Sequence, residues 1–491
     1  MSWRGGYVAD VAYTSGVYLE TAPAHLSTCA LLAGVRAPDP SAPFRYLDLG
    51  CGTGMGVCLL AAANPHGEFV GVDFNPAHVA AARALIAAAG LDNVRVEEAG
   101  FADLAGSRGE AQGRFDYAVA HGVWTWVGPQ AQAELVAALD RRVRPGGLVY
   151  MGYNNMAGWA ASLPLQRLIA DHAARTPGDS LERIRAAVKF ALGLRAAEPR
   201  GVDFSRLELQ LKGALDDPDK APAGLYAYLA HEYLNAHWRP AFPADVAEAL
   251  ADARLTYAGG ADPFSVLPEL TMTAAQAQAA QAYEDAAGRR ALADLIAPTS
   301  FRQDVFVRGA QPLSPPRREA ALRAVRLAAA EPLAERELTV EVPGGKLELD
   351  PQPYRAVCAR LDRGPAEVGA LLGEVEGAGR SMSATELLVV LVGSGMATPM
   401  ARASAQEGTA EERARARRYN VAMVEALRDQ AGLRLALASP LTGSGVRASL
   451  NDCLAYLAHA TAPGRHPELD VPVLRMAADA LAPFWEALRL L

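Results

Sequence analysis

Apolar and polar positions alternate with two different periods along the first half of the chain. Short runs rich in Val, Leu and Phe are separated by longer Ala-rich stretches with the three-to-four-residue repeat of a helix. Arg45–Leu49 is a short apolar strand running into the turn Gly50-Cys51-Gly52-Thr53-Gly54-Met55-Gly56, with helical residues on to about Ala63. Phe69–Val72 is a second strand ending in Asp73, and Pro76–Ala89 an Ala-rich helix stopped by Gly90. Val94–Glu97 and Phe115–Ala120 are further strands. Gln130–Arg142 is a helix closed by Pro145-Gly146-Gly147, and Leu148–Tyr153 a fifth strand. Strands alternating with helices through short links predict a parallel sheet covered on both faces, with ligands at the carboxyl ends of its strands.

From about Gly158 to Arg239 the pattern is helical. A helix at Pro243–Ala253 and strands at Leu255–Gly259 and Phe301–Arg308 then return to the sheet, with a smaller helical excursion near 265–298. The segment Gln311-Pro312-Leu313-Ser314-Pro315-Pro316 has linker chemistry. Beyond it, Leu338–Val342 and Lys346–Leu349 form a hairpin through Pro343-Gly344-Gly345, and helices follow near 352–361, 365–373, 383–393, 412–430, 449–459 and 470–489. The expected organisation is a discontinuous α/β domain (1–156 and 241–310), a helical insertion (157–240) serving as cap or dimer interface, and a mostly helical, winged-helix-like C-terminal domain (317–491).

Composition narrows the function. The chain has 491 residues, 51% hydrophobic and 21% charged, which is globular rather than disordered. No apolar run reaches the ~20 residues of a membrane helix. The opening MSWRGGYVAD lacks an apolar signal core, so a cytoplasmic location without membrane insertion is expected. A net charge of -8 argues against a nucleic-acid partner. Cys29, Cys51, Cys58, Cys358 and Cys453 form no CxxC pair, and the nine histidines are scattered, so no metal site is expected.

The glycine turn carries the chemistry. Its backbone N–H groups face outward and no Cβ interferes with a close ligand. A dinucleotide fingerprint starting at Gly50 or Gly52 would need glycine at 55 or 57, where the chain has Met55 and Val57. A P-loop would need G-K-[ST], which is absent. What remains is Asp48, Gly50, Gly52 and Gly54, with Asp73 ending the next strand.

That spacing resembles the class I S-adenosylmethionine-dependent methyltransferases and implies their Rossmann-like sheet and cofactor. Ala120-His121-Gly122-Val123-Trp124-Thr125-Trp126-Val127, Tyr153-Asn154-Asn155-Met156-Ala157-Gly158-Trp159 and His231-Glu232-Tyr233-Leu234 extend the likeness. So do Phe301-Arg302-Gln303 and Ala438-Ser439-Pro440-Leu441. Together they are similar to bacterial enzymes with a methyltransferase regulatory domain, whose rickettsial members are protein lysine methyltransferases. The family favours Tyr-Asn-Thr-x-Pro-Gly-Trp where this chain has Asn155 and Ala157, and Thr-His-Pro where it has Thr21-Ala22-Pro23.

The resemblance implies a cofactor site of Tyr13, Asp48, Gly50, Cys51, Gly52, Gly54, Asp73, Phe74, Phe101, Ala102 and His121. In it Asp73 accepts the ribose hydroxyls, and Gly100-Phe101-Ala102-Asp103 flanks the adenine. His121, Tyr153 and Asn154, at the ends of the fourth and fifth strands, are the catalytic candidates. Trp124, Trp126 and Trp159 offer an aromatic slot for a cationic amine, and His231 with Glu232 a substrate contact from the insertion. Lysine must lose a proton before attack, and desolvation in such a slot lowers its pKa. The expected activity is methyl transfer to protein lysine. The alternatives are a small-molecule or natural-product N/O-methyltransferase and a non-catalytic scaffold that binds the cofactor.

Overall fold

The computed structural model describes residues 5–11, 16–106, 113–211, 221, 223–284, 286–401, 409–428, 433–461, 465–466, 469 and 471–490. Its centre is a seven-stranded sheet. In chain order the strands are β1 (Phe44–Leu49), β2 (Gly67–Asp73), β3 (Val94–Glu98), β4 (Phe115–His121), β5 (Val143–Asn154), β6 (Leu255–Gly260) and β7 (Phe301–Arg308), and in space they run β3-β2-β1-β4-β5-β7-β6. The spatial order reverses at β1, so the cleft opens over the ends of β1 and β4, where an open α/β sheet binds its ligand.

Two sequence expectations need correction. The sheet is mixed, because β7 runs antiparallel to both β5 and β6. Pro145-Gly146-Gly147 does not separate helix from strand: the helix ends at Arg142, and β5 begins at once with Val143 opposite Phe115. The strand absorbs the extra residues as an irregularity between Phe115 and Tyr117.

Helix α1 (Pro23–Leu32) precedes the sheet. Helix α2 (Met55–Ala63) follows the glycine turn, and α3 (Pro76–Ala89) follows β2. Asn75 caps α3 by accepting the Ala77 N–H, Pro76 occupies its first turn, and Gly90 ends it at φ 61°. Three helices, α4 (Leu163–Ala173), α5 (Ser180–Leu194) and α6 (Ala223–Leu234), pack around a separate apolar core that includes Leu165, Ile184, Tyr226 and Tyr233.

The stretch 317–491, expected as one unit, feeds two cores. Residues up to about 400 form their own cluster around Val357, Leu371 and Leu388, with a three-stranded antiparallel sheet of β8 (Arg326–Ala329), β11 (Ala366–Glu367) and β12 (Ala397–Pro399). The expected hairpin, β9 (Thr339–Val342) with β10 (Gly345–Glu348), forms a two-stranded sheet of its own among the described residues.

Helix α7 (Ala410–Leu427) and the hairpin β13 (Leu435–Ser439) and β14 (Ser444–Ala448) instead share the core of the main sheet. Tyr419 donates its hydroxyl proton to the Met55 carbonyl at 3.0 Å, and Asn64 Nδ2 donates to Gly443 O at 2.7 Å. The second hairpin was not expected from the sequence. Its strands are five residues each, and β13, LALAS, is buried throughout, so no alternation marks it.

Candidate active site

A cavity of about 460 Å³ lies over the carboxyl ends of β1, β2, β4 and β5, within the range of small-ligand sites. Its floor is the glycine turn. Gly50, Gly52 and Gly54 all have positive φ (76°, 55° and 76°), and Gly50 also sits so close to Val123 that an added Cβ would lie 2.6 Å from its Cγ2. Gly52 and Gly122, both at positive φ, open onto space that a side chain would fill. The turn is therefore a cradle left bare for a ligand.

Asp73, 6% exposed, holds the cradle from the end of β2. Its Oδ2 accepts the Gly52 N–H at 2.9 Å and its Oδ1 the Asn75 N–H at 2.8 Å, with His78 Nδ1 3.3 Å from Oδ1. Phe74 and Phe101 flank it on the wall. Asp48 lies at the end of β1, where burial first and the charge of Asp73 second push its carboxyl up to about 7. Cys51 fills the space that Gly71 leaves by lacking a side chain. Burial raises its thiol pKa well above the ordinary value, so it is a packing residue and not a nucleophile.

His121 ends β4. Gly152 opposite makes room for its ring, Nδ1 pairs with the Tyr150 hydroxyl at 2.8 Å, and Tyr18 stacks on it at 3.6 Å. Burial pushes its pKa down to about 4, so the imidazole is neutral at physiological pH.

The far wall is built by β5, the short helix after it (Met156–Trp159) and α6. Glu232 is 5% exposed; its Oε2 accepts from Trp238 Nε1 at 3.2 Å and Asn154 Nδ2 at 3.4 Å. Burial raises its carboxyl to about 7 against the lowering effect of these bonds. Trp126, Trp159 and Tyr228 line the same region, and the guanidinium of Arg206 lies 3.9 Å from the Trp159 ring centroid. Gly158 is required where Trp159 turns in, because a Cβ there would meet the Thr299 carbonyl at 2.2 Å.

The fold thus gathers Asp48, Gly50, Cys51, Gly52, Asp73, Phe74, Phe101, His121, Trp126, Asn154, Trp159 and Glu232 around one cavity. Other candidates lie elsewhere. Trp124 points into the core between β4 and its following helix, among Leu135, Val136 and Leu139. Tyr153 projects to the opposite face of β5 from Asn154, as neighbours on a strand must, and donates its hydroxyl proton to Asp304 Oδ2 at 2.5 Å. His231 lies behind the wall, buried, with Nε2 3.1 Å from the Val11 carbonyl and its ring stacked on Trp126. Gly54 caps α2 against Ala82, and Ala102 is exposed on its helix. Tyr13 falls outside the described residues.

Sequence reasoning missed Tyr7, Tyr18, His78, Arg206, Gln303 and Arg434, all on the wall. His78 was within reach of the motif, five residues after Asp73. Gln303 lay inside the Phe301-Arg302-Gln303 motif without being given a role, and Tyr7, Tyr18, Arg206 and Arg434 arrive from distant segments with no local pattern. Among the described residues no group of His, Cys, Asp or Glu could hold a metal, and no helix is long and apolar enough to cross a membrane.

A bare glycine cradle, a buried aspartate at the end of β2 and a seven-stranded sheet with one reversed strand define a class I S-adenosylmethionine-dependent methyltransferase. Residues 47–149 match the model of the methyltransferase domain, and residues 226–308 that of the predicted methyltransferase regulatory domain, which spans α6 and the last two strands of the sheet. The chain belongs to the family that joins these two parts. An uncharacterized protein of Synechocystis sp. is 30% identical over 460 residues, covering 93% of this chain and 88% of that protein. One from Rickettsia prowazekii is 28% identical over 229 residues, 46% of this chain and 86% of its own length. The fold is similar throughout to PKMT2 from Rickettsia typhi, solved in complex with AdoHcy, at a TM-score of 0.64, 17% identity, and coverage of 97% of this chain and 99% of that one.

Proposed function

We propose that this methyltransferase methylates an amine, specifically the side chain of lysine in a protein substrate. The observation that carries the reading is Glu232. It places a carboxylate in the acceptor end of the cavity, held by Asn154 and Trp238 and walled by Trp126, Trp159 and Tyr228. A buried carboxyl with no salt bridge among the described residues, its charge offset only by that of the more distant Arg206, is costly. An entering ammonium supplies a close counter-charge, and the aromatic faces favour a cation over a neutral hydroxyl.

The cofactor supplies an electrophilic methyl group on its sulfonium. The residues of the chain position it: Asp73 for the ribose diol, Phe74 and Phe101 for the base, and Asp48 for the α-ammonium. The acceptor nitrogen must be neutral to attack. Glu232, with a carboxyl near 7, is matched to take and release that proton near neutral pH. His121, near 4, is too weak a base for the task and serves as a neutral wall of the slot, set by Tyr18 and Tyr150. The rings of Trp126, Trp159 and Tyr228 on the cavity lining limit the access of water to the acceptor. In this reading the helices of 157–240 act as the cap that brings Glu232 over the sheet, and part of 317–491 recognises the protein around the lysine.

The test is methyl transfer from radiolabelled S-adenosylmethionine into lysate of a deletion strain, separated into protein and small molecules. Label in methyl-lysine after protein hydrolysis is expected. Label confined to small molecules would refute the lysine assignment, and no label despite cofactor binding would favour a scaffold.

A further inference from the structure

Among the described residues the cavity wall carries two guanidinium groups, Arg206 and Arg434. Arg206 is committed. Its Nη2 donates to the Gly158 carbonyl at 2.8 Å, its Nε lies 3.2 Å from Ser162 Oγ, and it covers the Trp159 ring on the acceptor side. Arg434 comes from the residues just ahead of β13, far along the chain from the glycine turn. Its backbone is fixed, since Val17 N–H donates to its carbonyl at 2.9 Å and Gly16 bridges to it. Its guanidinium carbon lies 5.5 Å from the centroid of Tyr18, the ring stacked on His121. Among the described residues that side chain has no hydrogen bond or ion pair.

We propose that Arg434 binds the carboxylate of the methionyl group of S-adenosylmethionine, so that the C-terminal segment completes the cofactor site. The proposal rests on the cofactor assignment above. With the adenosyl group at Asp73 and Phe101, the ligand extends across the sheet from β2 over β1 to β4. At a strand spacing of about 4.8 Å this is a reach of about 10 Å. It brings the methionyl group beside Asp48, His121 and Tyr18. A carboxylate arriving there meets the acidic side chain of Asp48 in a partly desolvated site. It needs a cation, and a guanidinium can hold both its oxygens at once. Asp48 and Arg434 then complement the two charges of an α-amino acid.

The experiment is calorimetric titration of S-adenosylhomocysteine and of 5′-methylthioadenosine, which lacks the amino-acid group. The proteins are the native chain, Arg434→Met, Arg434→Lys and Asp73→Asn. Arg434→Met should weaken S-adenosylhomocysteine about 10- to 100-fold, the range of a charge-assisted hydrogen-bonded contact, and leave methylthioadenosine unchanged. Arg434→Lys should fall between, and Asp73→Asn should weaken both ligands. Unchanged S-adenosylhomocysteine affinity in Arg434→Met overturns the proposal, as does an equal loss for both ligands, which would mean a packing effect. A native protein that binds neither ligand would instead overturn the cofactor assignment, and the proposal with it.

Discussion

Replacing Glu232 with Gln should make the protein more stable and less active, and the size of the stability gain depends on pH. The Glu232 carboxyl is raised by burial from its ordinary 4.5 to about 7. Between those values the folded chain holds a proton that the unfolded chain has released. Stability therefore falls as pH rises through that window, and is fully retained only below about 4.5. The gap is worth about 3 kcal/mol at roughly 1.4 kcal/mol per tenfold change in proton affinity. Gln cannot ionise, and its carbonyl oxygen can still accept from Asn154 and Trp238. Chemical denaturation at pH 5 and pH 8 checks this. The two proteins should agree within about 1 kcal/mol at pH 5, and the variant should be ahead by about 2–3 kcal/mol at pH 8. Methyl transfer by the variant should fall about a hundredfold or more, while that of the native enzyme rises with pH through 7. A stability difference that does not change with pH, or a variant less stable at pH 8, would refute the placement of an ionising carboxylate in that wall.

Three further outcomes are expected. Gly50→Ala combines a backbone of φ 76° with a Cβ 2.6 Å from Val123 Cγ2; it should cost about 2–4 kcal/mol and abolish cofactor binding by titration. Tyr153→Phe removes the hydroxyl bonded to Asp304 on the far side of β5; it should lower stability by about 1–2 kcal/mol with kcat unchanged, and a large loss of kcat at unchanged stability would return Tyr153 to the catalytic set. Trp124→Ala should cost about 3–5 kcal/mol as a core deletion, seen as a lower melting temperature with cofactor affinity retained.

The local part of this protein was legible in its residues. Asp48, the three glycines and Asp73 lie within 26 positions of one another (48 to 73), on two adjacent strands and the turn between strand and helix. Their spacing alone implied the cradle, because only glycine tolerates those backbone angles and only a strand end presents Asp73 to them. Strand and helix periodicity likewise marked β1 to β4 and β7 and the helices after β1 and β2, since each element buries one face at its own repeat.

Three things were decided only by tertiary structure. The direction of β7 depends on how the chain re-enters the sheet, which periodicity does not encode. Alternation within β5 sends Asn154 to the cavity and Tyr153 to the Asp304 side, but which face is which depends on what covers the sheet. Finally, the parts of the cavity wall that carry Glu232, Tyr18 and Arg434 are assembled from α6, the segment around Tyr18 and the residues before β13. Glu232 and Arg434 stand more than 150 positions beyond the glycine turn, and such juxtaposition arises from packing of separate cores, which no local pattern can express.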